Sequence, residues 1–134
     1  DALHVYRTEL MRKYQSPVVE GEKFISEGYY IHSIAKEFEL LIVPSALQQG
    51  EYLSDGYTNQ ARKLAIDNPR GYIKNKALAV EMSKTIKGKV INTVLYLVGC
   101  DLAGKKDAVK MAPNRSLAAL CFIPSKLVRL ICFR

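Results

Sequence analysis

Tryptophan is missing from this chain, histidine occurs twice in 134 residues and cysteine three times. Each shortage closes off a class of function. Cys100, Cys121 and Cys132 are an odd number in a chain long enough to bury a core without staples, so a disulfide framework is not expected. A reducing, intracellular compartment, cytoplasmic or nuclear, follows as the expectation. The cysteines stand far from His4 and His32, and neither Cys-x-x-Cys nor His-Glu-x-x-His spacing occurs, so no metal is expected. No run approaches the roughly 20 uninterrupted apolar residues of a membrane-crossing helix. The chain opens on Asp1 rather than Met, so a trimmed or processed product, with any targeting segment already gone, stays open as an expectation.

Catalytic pairings are equally scarce. On a helix, Glu37 lies about 140° around the axis from His32, so the interior histidine has no carboxylate on its own face to orient it. No catalytic residue and no cofactor are assigned, and enzyme activity is not expected. Gly99 to Lys106 reproduces the G-x-x-x-x-G-K phosphate-loop pattern, but Lys106 stands where a Ser or Thr hydroxyl should hold magnesium. A glycine-bounded turn is the preferred reading there. The loop would need a strand before it, and a nucleotide-binding enzyme is kept only as a second alternative.

Acid is scarce in one half only. Residues 68–134 carry thirteen Lys and Arg against three acids, whereas residues 1–67 carry seven against ten. The formal charge of +7 is therefore one-sided, an acidic amino-terminal half followed by a basic carboxyl-terminal half, and a field with direction selects anionic partners.

What is present reads as a mainly all-α single domain over 1–134, with about seven or eight helices. Leu3, Tyr6, Leu10 and Tyr14 share one helical face ahead of Pro17, and Phe24, Ile31, Ile34, Ala35, Phe38, Leu41 and Ile42 form the next stripe, ending before Pro44. Gly28 lies on that stripe, where it lets a neighbouring helix come close. Ser45 with Gln48 reads as a capping box, Ser54-Asp55-Gly56 as a turn, and Thr58 as a cap for a helix holding Ala61, Leu64 and Ala65 inward. Asn68-Pro69 starts a helix running to about Lys87. Residues 90–98 are apolar on nearly every side and fit helix and strand alike, with helix preferred for its helical neighbours. Asn114 and Ser125 cap two final helices.

The helix from Arg70 is the best functional candidate. Tyr72, Asn75, Leu78, Ala79, Met82 and Ile86 share a packing arc, and Arg70, Lys74, Lys76, Lys84 and Lys87 share the other. Lysines so placed can neutralise phosphates without reading sequence. Lys89, Lys105, Lys106, Lys110 and Arg115 extend the excess, and the free amides at the Arg70-Gly71 helix start favour an anion. Nucleic-acid binding is expected, with Arg70, Lys74, Lys84, Lys87, Lys105 and Lys106 as contacts. RNA or single-stranded DNA ranks ahead of duplex, since no helix-turn-helix signature is visible. An acidic protein or an anionic membrane is the first alternative partner.

Eight tyrosines add a means of stacking bases. Tyr6, Tyr14 and Tyr72 sit on packing stripes, while Tyr57 and Tyr96 are less constrained. The apolar carboxyl end, Leu117 to Arg134, either closes the core or docks on a neighbouring copy, which leaves room for a small subunit of an oligomeric nucleoprotein assembly.

Overall fold

The apolar run that fits both periods is the helix around which the others pack. The computed structural model describes residues 4–39, 41–51 and 56–133. Its helices are α1 (Thr8–Lys13), α2 (Gly28–Ala35), α3 (Ala61–Asp67), α4 (Pro69–Met82), α5 (Ile86–Leu102) and α6 (Arg115–Cys132), with no strand among the described residues. Residues 90–98 lie within α5. That helix packs against α4, α6 and α3, so Thr93, Tyr96, Leu97, Val98, Gly99 and Cys100 are all buried. A helix enclosed on several sides loses the polar face that would have betrayed its period.

Two clusters make the core. Tyr96, Leu97 and Cys100 of α5 meet Ala118 and Cys121 of α6 and Ala108 and Ala112 of the connecting turn. Val98, on the α3 side of α5, meets Ala65 and Phe133. Small residues in the first cluster let α5 and α6 approach closely.

Among the described residues six helices replace the expected seven or eight, for local reasons. The helix from Pro69 ends at Met82 instead of reaching Lys87: the Ser83 hydroxyl donates to the Ala79 carbonyl at 2.6 Å, and Thr85 starts α5 by accepting the Gly88 amide at 3.0 Å. Hydroxyls that bond nearby backbone compete with helix continuation. Ile86 consequently leaves the packing arc and is exposed. Ser45 and Gln48 form no helix, and residues 46–51 have no regular structure. The second stripe makes only the short α2, in which Ile34 is buried, while Phe38, Leu41 and Ile42 lie beyond its end and are exposed. Thr58 sits in a turn ahead of α3, which Gln60 leads without a side-chain cap. Ala61 is exposed and Ala65 buried. Leu3 and the Ser54-Asp55 part of the expected turn lie outside the described residues.

The two final helices are one. Asn114 caps α6 as expected, accepting the Leu117 amide at 3.0 Å, but Ser125 is buried inside the helix and donates to the Phe122 carbonyl at 2.6 Å. Pro124 also lies inside α6 and brings no amide for the Leu120 carbonyl. Interior proline costs a helix about 3 kcal/mol relative to alanine. Pro124→Ala is therefore expected to stabilise the protein by about 1–3 kcal/mol, read as a higher urea midpoint. No helix among the described residues is long and apolar enough to cross a membrane.

Candidate nucleic-acid interface

The start of α4, where an anion was expected, already holds one. Glu22 Oε1 accepts the Arg70 amide and its Oε2 accepts the Gly71 amide, each at 2.7 Å. The protein's own carboxylate thus takes the free amides and the positive end of the helix dipole, and no phosphate site forms there. Asn68 holds the incoming segment rather than capping its own helix: its Oδ1 accepts the amides of Lys23 (2.8 Å) and Phe24 (3.1 Å), and its Nδ2 donates to the Leu64 carbonyl (3.0 Å). Glu22→Ala leaves two amides uncapped and is expected to cost about 1–2 kcal/mol, read by urea denaturation.

The five-cation arc of this helix narrows on inspection. Arg70 and Lys74 are exposed on α4, in line with Glu81, which pairs with Lys36 at 2.9 Å. Lys76 is half-buried, with its ammonium 5.5 Å from the centre of the Tyr72 ring, and burial lowers its pKa. The same burial pushes the Tyr72 hydroxyl up to about 12. Ile73, Ala77 and Val80 fill the side of α4 nearest the basic strip, so the helix packs on two flanks.

Lys84 lies in the connection just before α5 and Lys87 in its first turn, while Lys105 and Lys106 follow its end. Because α4 and α5 are joined by only Ser83, Lys84 and Thr85, they run antiparallel. A Cβ placed at Gly99 would lie 3.0 Å from side-chain atoms of Tyr72 and Ile73, which sets residue 99 level with the first turn of α4. The six expected contacts therefore form two groups. Arg70, Lys105 and Lys106 gather at one end of the helix pair, with Lys74 one turn inward, and Lys84 and Lys87 stand at the other. The 17 residues of α5 separate the ends by about 25 Å.

No protein-family model, curated protein or solved structure matches this chain. Its chemistry rests on its own geometry.

The phosphate-loop pattern resolves into a helix terminus. Gly104 adopts a φ of +65°, its amide bonds the Asp101 carbonyl at 3.1 Å, and the Lys105 amide bonds the Cys100 carbonyl at 2.8 Å. These two bonds are the Schellman pair that closes a helix on glycine. Gly99 sits inside α5, and the strand that a phosphate loop requires is helix.

Tyr57 is the exposed tyrosine among the described residues, 5.4 Å from Phe24 between ring centres, and Phe24 lies against the Arg70 end. Tyr96 is buried, and Tyr6, Tyr14 and Tyr72 are half-buried, as their stripes suggested. Glu22 was missed by sequence reasoning because it lies 48 residues before its partner. Gly71 was the available signal, since a glycine in the first turns of a helix sacrifices propensity for closeness.

His32 is half-buried on α2, where burial and then the charge of Lys76 hold its imidazole below the usual 6.5. The unfolded chain takes up this proton near pH 6.5 and the folded chain only at lower pH, so stability falls as pH drops below about 6.5. His32→Gln is expected to flatten the loss of urea midpoint between about pH 7 and pH 5.

Proposed function

We propose that this protein is a non-enzymatic, intracellular nucleic-acid-binding protein that grips backbone phosphates, preferring RNA or single-stranded DNA to duplex. One observation carries the reading. Lys13, Lys36, Lys63, Lys110, Lys126 and Arg129 are taken by carboxylates, whereas Arg70, Lys74, Lys84, Lys87, Lys105 and Lys106 are exposed with no carboxylate partner among the described residues, a state they share with Lys89 and Arg115 in the basic half and with Arg7, Arg12, Lys23 and Arg62 in the acidic half. Unpaired cations release bound counterions from a phosphate chain at no cost in broken ion pairs.

The spacing adds a second requirement. At the rise of about 3.4 Å per nucleotide of a base-stacked strand, up to about seven nucleotides are needed to touch both ends of the helix pair. Tyr57 at the Arg70 end offers one unpaired base a stacking face, which duplex cannot use.

Fluorescence anisotropy with labelled single-stranded RNA, single-stranded DNA and duplex DNA across a salt series tests the reading. Six contacts on a single strand correspond to a slope of about −4 in log affinity against log salt. Affinity is expected to climb between strands of about four and about ten nucleotides, as the second end engages. Tyr57→Ala should weaken single-strand binding by about 1–3 kcal/mol and leave duplex binding unchanged. No binding to any of the three at low salt sinks the proposal, and binding without length dependence moves an acidic protein or an anionic membrane to first place.

A further inference from the structure

Helix α6 has three sides, and one of them is apolar and more than half exposed. At 100° per residue, Ala118, Cys121, Ser125 and Val128 share the side that packs inward. Lys126 and Arg129 share a second side, where both reach Asp101 at the end of α5. Leu120, Ile123, Leu127 and Leu130 recur at steps of three and four on the third, joined by Ile131. All five are more than half exposed, from 56% at Leu127 to 79% at Leu120.

Single exposed aliphatic residues need no explanation, but a contiguous stripe of five does. The spacing repeats a heptad seam, with Leu120 and Leu127 at one core position and Ile123 and Leu130 at the other. At on the order of 100 Å² per exposed side chain the stripe presents roughly 500–600 Å², so two copies bury roughly 1,000–1,200 Å² together, the low end of the range for a specific interface. Phe122, also exposed, lies on the second side, its ring centre 5.4 Å from the Lys126 ammonium. No charged residue lies within the stripe, so two copies of it meet without burying a charge.

The geometry points to a second copy of this chain as the occupant, with the outer faces of two α6 helices packed about a two-fold axis. Such an isologous contact makes each copy's stripe the complement of the other's. An anionic membrane would draw Lys126 and Arg129 toward its headgroups, but Asp101 holds both, and no tryptophan is available to anchor the helix at an interface. The pairing does not depend on the nucleic-acid reading.

Sedimentation of the full chain without nucleic acid, from about 1 to about 100 μM, brackets the dissociation constant expected for a contact of this size. Reductant excludes a disulfide through the partly exposed Cys132. The expected result is conversion from the mass of one chain to that of two. The double variant Ile123→Glu with Leu127→Glu should weaken dimerisation at least about 100-fold, since charge is then buried in the seam, while the circular dichroism spectrum is unchanged. Leu120→Gln, at the most exposed position of the stripe, gives the same test if the double variant unfolds. A monomer across the whole range overturns the proposal, as does a dimer that neither variant weakens. A monomer that co-sediments with phosphatidylserine vesicles overturns it in favour of a membrane.

Discussion

Changing Lys84 and Lys87 together to glutamate is expected to weaken binding of a ten-nucleotide RNA by about 100-fold at low salt and to lower the salt slope by about 1.4. The two lysines flank Thr85, the residue that caps the start of α5. At the opposite end Glu22 already takes the amides of Arg70 and Gly71, so the start of α4 adds no open amides to the cations there. Both side chains are exposed and unpaired with carboxylates among the described residues, so the thermal midpoint should not move. Lys13→Ala is the control, because Glu37 already takes that charge at 2.8 Å. A double variant that binds as tightly as wild type would place the phosphate contacts elsewhere.

Gly71→Ala is expected to lower stability by about 2–4 kcal/mol, against the gain of about 1 kcal/mol that the same change gives in an exposed helix. A Cβ at this position would lie 2.8 Å from the Phe24 carbonyl oxygen. Neither side can yield easily. Asn68 holds the amides of Lys23 and Phe24, and Glu22 holds the Gly71 amide itself, so retreat of the segment breaks several hydrogen bonds at once. The thermal midpoint should fall by roughly 10 °C in a domain of this size. Gly50→Ala, with nothing within 4 Å of its Cβ position, should be close to neutral. Equal stability of Gly71→Ala and wild type would mean that residues 22–24 do not bear on α4.

Helix starts that depend on one or two adjacent residues were legible in the sequence. Pro69 opens α4 and Asn114 caps α6, because each satisfies its own neighbourhood without reference to distant chain. Gly28 was read as a point of close approach, and its Cβ position lies 3.2 Å from Asn75 Oδ1 of α4. Helix ends proved harder. Met82 ends α4 through the hydroxyl of Ser83, and α6 runs through Pro124, because packing against α5 outweighs a locally unfavourable residue. The anion at the start of α4 was right in kind and wrong in source, since Glu22 is brought there by tertiary folding.

Residue identity alone determined the helical class, the one-sided charge and the list of cations, for these follow from side-chain chemistry and spacing along the chain. Tertiary structure decided which of those cations are unpaired among the described residues, that the six expected contacts form two groups about 25 Å apart, and that the apolar stripe of α6 is exposed. Pairing and exposure depend on which distant segment reaches a side chain first, and distance in space is a property that no single stretch of sequence carries.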